Sequence, residues 1–279
     1  MGLQPCRPRM TVAAPGSLQS HDIRAEVPPP RSGDVVRGDT MVAMAPRLLV
    51  LEDDVGLRRS LRMVLEDDGY DVIEAADAER ALAVVSDHGV DLMLVDLMLG
   101  GMDGFSFIQR ARPHTEAPIV VVSARDGVQD IVAALEAGAD DYVTKPFVVE
   151  EVKARLKALL RRPAMGGPGE TRARDDVFVL DGQDGPLVFD RGAAALSRGD
   201  DEIHLTNTEF RLLSVLVDNA GRVLSRSALL EHVWDQGFFG DERIVDVHVR
   251  RLRKKVELQP GSPTILVTVR GLGYRLDTR

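Results

Sequence analysis

From Arg47 onward the chain alternates short apolar runs with longer stretches of helical period. The runs are "RLLVLEDD", "YDVIEAA", "DLMLVD", "PIVVVSA" and "DDYVTKP", and each is followed by a polar-apolar segment such as "GLRRSLRMVLEDD", "DAERALAVVS", "GFSFIQRAR" or "GVQDIVAALEAGA". A last such segment, "EEVKARLKALLRR", closes the series. Apolar runs of this length between helices belong to strands buried on both faces. Five strands alternating with five helices predict a doubly wound α/β domain, a five-stranded parallel sheet, over residues 46–162.

After residue 162 the pattern breaks. "PAMGGPGETRARDD" has the Pro, Gly and charge content of a linker, assigned to residues 163–176. Residues 177–279 form a second, α+β domain. Its first part alternates short Val/Leu/Phe runs with "DGQDGP" and "SRGDDE", as small antiparallel strands do. "LTNTEF" then places Thr206 three residues before Glu209, the spacing of a capping box, and predicts a helix start. Further helices fit "SRSALLEHVW" and "DERIVDVHVRRLRKKVEL", and "TILVTVRGLGYRLD" reads as a hairpin turning at Gly271 and Gly273. Three helices followed by a hairpin predict a winged helix-turn-helix.

Composition narrows the classes. Residues 1–45, with "PPPRSGD" and no sustained period, are expected to be disordered, and Met41 and Met44, just before the first apolar run, are candidate true starts of the chain. No apolar stretch has the roughly 18 residues of a membrane span, and no secretory leader is visible. Cys6 is the single cysteine, which excludes an internal disulfide and fits a reducing cytoplasm. The net charge is −9, yet positions 250–255 hold five cations. Affinity for nucleic acid follows the local field rather than the total charge.

One residue asks for an explanation. Asp96 ends the apolar run "DLMLVD", where an unpaired carboxylate would cost several kcal/mol. In a parallel doubly wound sheet, ligands bind beyond the carboxyl ends of the strands. Glu52 and Asp53 end the first run, Asp96 the third, Ser123 the fourth and Lys145 the fifth. These groups are therefore expected to converge in one crevice. Three carboxylates there call for a hard divalent cation, Mg²⁺ being the simplest, while Lys145 and the Ser123 hydroxyl can hold an oxyanion. The set suits formation of an acyl phosphate on Asp96.

A second constellation lies on the helix over residues 243–256. At 3.6 residues per turn Val245, Val249, Leu252 and Val256 share one stripe, the expected core side. Arg243, Val247, Arg250 and Lys254 lie opposite, with Arg251 at the margin; Arg253 and His248 complete the expected contacts. A cationic face with one outward valine suits a DNA major groove. Trp234, at helical spacing from Leu230, is expected in the core, and His232 is expected to be structural.

With "LLVLEDD", "DLMLVDLMLGGMDG", "VVSA", "GADDYVTKPF", "LTNTEF", "VDVHVRRLRKK" and "VRGLGYR", the chain resembles two-component response regulators of the OmpR/PhoB family over both domains. The resemblance implies a flavodoxin-like receiver in which Asp96 takes phosphate from a sensor histidine kinase. Glu52, Asp53 and Asp96, with the backbone carbonyl of Met98, would hold Mg²⁺; Ser123 and Lys145 would contact the phosphoryl oxygens, and Tyr142 would be the switch aromatic. It implies a homodimer on phosphorylation, with Asp140, Asp141, Glu151 and Arg155 as ion-pair residues of the dimer face, promoter DNA and RNA polymerase as partners, and Arg270 in the wing reaching a minor groove. Such a protein is a transcription regulator and not an enzyme. The chain departs from the pattern at Gly100, where proline is usual, at Ile131, where lysine is common, and at Ile244, where threonine is frequent.

Two other functions compete. A phosphatase of the haloacid-dehalogenase type also uses a strand-end aspartate with Mg²⁺, but needs an acid two residues on, where this chain has Met98. A DNA-binding protein with an inert receiver would not need the complete set Glu52, Asp53, Asp96, Ser123 and Lys145.

Overall fold

The computed structural model describes residues 45–160, 176–182, 185–234 and 241–279. Residues 1–44 of the expected disordered tail and 163–175 of the linker expected at 163–176 lie outside the described residues. Five strands, β1 (Arg47–Leu51), β2 (Asp71–Ala75), β3 (Leu92–Val95), β4 (Ile119–Ser123) and β5 (Asp141–Thr144), pair in parallel in the order β2-β1-β3-β4-β5. The chain moves outward from β1 to β2 and then returns to β3 on the other side of β1. That reversal opens a crevice at the carboxyl ends of β1 and β3.

Helices α1 (Val55–Asp67), α2 (Ala78–His88), α3 (Gly104–Ala111), α4 (Val128–Ala137) and α5 (Val149–Leu160) follow the five strands, as the periodicity predicted. Three of them start on an aspartate that accepts from the backbone three residues on: Asp54 from Leu57, Asp77 from Arg80 and Asp103 from Ser106. Such caps satisfy amides that the helix cannot, each worth about 1 kcal/mol. Strands β1, β3 and β4 are buried almost end to end, which explains why they read as continuous apolar runs and not as alternating ones.

The second domain begins with an antiparallel sheet of β6 (Val177–Asp181), β7 (Leu187–Asp190), β8 (Ala195–Arg198) and β9 (Asp201–Glu202). Helices α6 (Asn207–Asp218), α7 (Arg226–Trp234) and α8 (Arg243–Val256) follow, then the hairpin β10 (Leu266–Val269) and β11 (Gly273–Leu276). The capping box forms as expected: Thr206 accepts from the Glu209 amide, and the Glu209 carboxylate accepts from the Thr206 amide. Gly273 does more than turn the chain. It sits at φ 145°, and a Cβ there would fall 2.0 Å from the Leu224 carbonyl oxygen, so only glycine lets β11 pair with the segment before α7.

The two domains share one compact unit. Helix α8 packs on α4, and α7 on α5.

Candidate functional site

The reversal point of the sheet brings together the residues that the sequence placed at strand ends. Glu52 and Asp53 directly follow β1, Asp96 follows β3 and Lys145 follows β5. Carboxylate oxygens of Glu52, Asp53 and Asp96 all lie within 4.8 Å of one another. Lys145 bridges two of them, with its Nζ 2.8 Å from Glu52 Oε2 and 2.7 Å from Asp96 Oδ2. The other oxygen of Asp96 accepts from the Met98 amide at 2.9 Å. Asp96 is thus buried but paired on both oxygens, which resolves its presence in an apolar run.

Burial pushes Glu52 above the usual carboxylate range, against the pull of the Lys145 hydrogen bond and charge. For Lys145, burial alone would lower the pKa; hydrogen bonds to Asp96 and Glu52 outweigh it and raise it. The pocket therefore keeps one fixed cation among three acids. An exposed Asp53 beside the buried pair leaves an open side suited to a partly hydrated ion, and an all-oxygen donor set fits Mg²⁺.

Two neighbours gave no clear signal in sequence. Arg58, one turn into α1, donates to the backbone carbonyls of Glu52 at 2.6 Å and Asp53 at 3.2 Å, fixing the loop that carries both acids. Gly104, the first residue of α3, lies where a Cβ would come 2.3 Å from the Asp96 carbonyl oxygen. The loop that carries Asp96 thus leans directly on the α3 terminus. The only hint in sequence was glycine immediately after the capping Asp103.

Ser123 ends β4 and is completely buried; its hydroxyl accepts from the Arg125 amide at 3.4 Å. Tyr142 in β5 is buried beside it and donates to the Arg125 carbonyl. Burial raises the Tyr142 pKa, and a hydrogen bond with Ser123 opposes that rise. Ser123 and Tyr142 therefore already share one pocket behind the acidic crevice.

The four residues expected on a dimer face are joined inside one chain. Asp140 and Asp141 are fully buried, which corrects their expected exposure. Asp140 pairs with Arg112 and also accepts from the Ile119 amide at 2.9 Å. Asp141 is bound by Arg155 at 3.0 Å, and Arg155 also reaches Glu151 at 2.6 Å. Burial pushes the Asp141 carboxyl up to about 6, with Arg155 opposing.

The basic helix also differs from its projection. Val245, Val249, Leu252 and Val256 are core, as expected. Val247, expected to face outward, is 6% exposed, and His248, expected near phosphate, is fully buried. For His248 the reason is visible: its Nε2 lies 3.1 Å from the Asp140 carbonyl of the first domain and its ring packs on Trp234, while α4 packs on α8. Arg243, Arg250, Lys254 and the wing's Arg270 remain exposed. Arg251 is half-hidden and Arg253 is tied to its own hairpin, donating to the Leu266 carbonyl at 2.8 Å and Thr268 at 2.7 Å. Trp234 is core as expected, while His232 lies on the surface with Nδ1 2.6 Å from the Ala228 carbonyl.

A five-stranded receiver with an acidic crevice, joined to three helices and a wing, defines a class that sequence comparison names. Residues 48–157 match the family described as response regulator receiver domain, and residues 200–276 that described as transcriptional regulatory protein, C terminal. The chain belongs to the OmpR/PhoB family and is a DNA-binding response regulator of the two-component type. It is 42% identical over 232 residues to transcriptional regulatory protein AfsQ1 of Streptomyces coelicolor, across 83% of this chain and 98% of that one. Sensory transduction protein RegX3 of Mycobacterium tuberculosis is 41% identical over 230 residues, covering 82% and 98%. DNA-binding response regulator MtrA of Mycobacterium bovis is 40% identical over 235 residues, covering 84% and 98%. Among solved structures a RitR mutant aligns at 27% identity with a TM-score of 0.63, over 84% of this chain and all of that one. No helix among the described residues is long and apolar enough to cross a membrane.

Proposed function

We propose that Asp96 is the phosphoacceptor of this regulator and that a sensor histidine kinase supplies the phosphoryl group. The observation that carries this is Lys145, whose ammonium spans Asp96 and Glu52 with Asp53 alongside. In the transfer, an Asp96 oxygen forms the new O–P bond as the N–P bond of a phosphohistidine breaks, and the departing imidazole keeps the electron pair. Lys145 stays within reach of the transferred group and balances its charge; the Ser123 hydroxyl can turn from the Arg125 amide to donate to a phosphoryl oxygen. Mg²⁺ held by Glu52, Asp53, Asp96 and the Met98 carbonyl would neutralise charge on the phosphoryl oxygens.

Phosphorylation adds about −1.5 to −2 charge at Asp96. Drawing Ser123 toward it breaks the Ser123–Tyr142 contact and frees Tyr142 to repack, which changes the α4-β5-α5 face. On this reading the phosphorylated chain is a cytoplasmic homodimer that grips promoter DNA through Arg243, Arg250, Arg251, Lys254 and Arg270 and acts on RNA polymerase. The phosphatase alternative is weaker, because Met98 stands where its acid is required.

The test is the intact mass of the native chain and of Asp96→Ala after incubation with a small-molecule phosphodonor and Mg²⁺. A phosphate adduct present in the native chain and lost in the variant is the expected result. An adduct that survives in the variant moves the acceptor elsewhere.

A further inference from the structure

Two of the three carboxylates of the acidic crevice, Glu52 and Asp53, are neighbours on the short loop between β1 and α1. One residue holds the backbone of that loop. Arg58 Nη1 donates to the Glu52 carbonyl at 2.6 Å and to that of Asp53 at 3.2 Å, while the Arg58 amide donates to the Asp54 carbonyl at 2.9 Å. Three consecutive carbonyls thus hang on a single arginine. The far side of its guanidinium is anchored on β2, with Nε 3.6 Å from Glu74 Oε1, and the second oxygen of Glu74 accepts from Arg62 at 2.9 Å. The Arg58 side chain is only 13% exposed, so water competes little for these bonds.

We propose that Arg58 is a positioning residue that makes the crevice selective for Mg²⁺ over Ca²⁺, by keeping the loop that carries Glu52 and Asp53 from relaxing outward around a larger ion. Mg²⁺ demands near-octahedral oxygens at about 2.0–2.1 Å, whereas Ca²⁺ accepts more oxygens at about 2.3–2.6 Å in looser geometry. A clamped loop therefore favours the smaller ion. Asp96, the third carboxylate, is already held on both oxygens by Lys145 and the Met98 amide, so the β1-α1 loop is where the crevice could give. A planar guanidinium suits the task, because its fork serves the carbonyls with one nitrogen and Glu74 with another, which an ammonium cannot do. Glu74 also balances its charge, and what Arg58 lends the crevice is then chiefly position. The inference rests on the reading of Glu52, Asp53 and Asp96 as the Mg²⁺ ligands.

The experiment titrates magnesium chloride and calcium chloride separately into the full chain by calorimetry, without phosphodonor. It compares the native chain with Arg58→Gln, Arg58→Lys, Glu74→Gln and Arg62→Gln, each checked for folding by its urea transition. Arg58→Gln should lose about tenfold in Mg²⁺ affinity and less than about threefold in Ca²⁺ affinity, so the ratio of the two falls. Arg58→Lys, which can bond the carbonyls or Glu74 but not span both, should lie between Arg58→Gln and the native chain. Glu74→Gln slackens the far anchor and should lower the ratio by a smaller factor, whereas Arg62→Gln touches no loop carbonyl and should leave it unchanged. With acetyl phosphate, Arg58→Gln should need about tenfold more Mg²⁺ for its half-maximal rate of phosphorylation, yet come within about twofold of the native rate at saturation. The proposal is overturned if Arg58→Gln binds both ions as the native chain does, or loses both to the same extent. A lower saturated rate with unchanged Mg²⁺ affinity overturns it too, since Arg58 would then act on the phosphoryl group. If Arg58→Gln does not fold, Glu74→Gln decides, and an unchanged ratio there overturns the proposal. If the native chain takes up no Mg²⁺, or Asp53→Asn takes it up as tightly, the metal reading of the crevice fails and the role of Arg58 falls with it.

Discussion

The Lys145 ammonium stands 2.7 Å from Oδ2 of Asp96, a residue 49 positions earlier in the chain. A cation fixed on the Asp96 carboxylate can play two opposing parts. If Asp96 is the phosphoacceptor as proposed, the cation would stabilise the transferred phosphoryl group, and it would compete with a metal ion for the same carboxylates.

Replacing Lys145 by Gln therefore separates the two. Mg²⁺ affinity, followed by titration calorimetry, should rise several-fold, because a competing charge is gone. Phosphoryl uptake should fall by at least about tenfold, the loss expected for one charged stabiliser of the transition state. A variant that binds Mg²⁺ more weakly would show that Lys145 is part of the metal site's support.

Gly104→Ala tests the contact between α3 and the loop that carries Asp96. With a Cβ 2.3 Å from the Asp96 carbonyl oxygen, either the loop or the helix end must shift. We expect a loss of about 1–3 kcal/mol in urea unfolding, typical of overpacking, and slower phosphorylation in the fraction that remains folded. Gly100→Ala, where nothing lies within 4 Å, should cost far less.

His248 predicts a pH dependence of domain closure. Burial holds its pKa down to about 4, Arg251 adds to the fall, and the Asp140 and Glu209 charges oppose it. An opened chain would return the ring to its ordinary value near 6.5. The open form then takes up a proton in a window where the closed form does not, so closure is fully present above about 6.5 and weakens as pH falls toward 4. Asp141, raised to about 6, is paired with Arg155 of its own domain and so does not separate the two states. Iodide quenching of Trp234 in the unphosphorylated chain should increase over that window, and His248→Gln should flatten the change.

Glu209 ties one helix start to another helix. It caps α6, lies 2.6 Å from Lys255 and 3.2 Å from Arg251, and is completely buried. Its carboxyl is held below the usual range because those cations outweigh its burial. Glu209→Ala strands two partly buried cations, so about 3–5 kcal/mol of stability should be lost in urea unfolding. Thr206→Ala, which removes only the cap hydroxyl, should cost about 1 kcal/mol.

The exposed cations of the basic helix and wing carry a salt signature. If Arg243, Lys254 and Arg270 each meet one phosphate, removing any of them should lower the slope of log affinity against log salt by about 0.9. Binding isotherms of the phosphorylated chain at several salt concentrations measure it. An unchanged slope in Arg270→Ala would take the wing off the DNA.

The first domain was legible because its signals are local. Apolar runs gave the strands, and the rule that ligands meet strand ends gave Glu52, Asp53, Asp96 and Lys145 as a set. Arg58 and Gly104 escaped because what matters in each is a backbone contact, and neither a helical arginine nor a glycine after a cap advertises one. The helix at 243–256 was found with its core stripe correct, yet Val247 and His248 were given the wrong side. A projection of one helix sees two faces, core and solvent; it has no place for a face covered by another domain.

That covered face divides its labour unevenly. Apart from Glu136, which pairs with Arg250, the receiver offers main-chain oxygens, those of Leu135, Ala139 and Asp140, while the DNA-binding domain supplies the side chains Arg251, Trp234 and His248. Carbonyl oxygens survive almost any change of side chain. Most receiver substitutions outside Glu136 would therefore leave the grip intact, whereas a change at Arg251, Trp234 or His248 alters it directly.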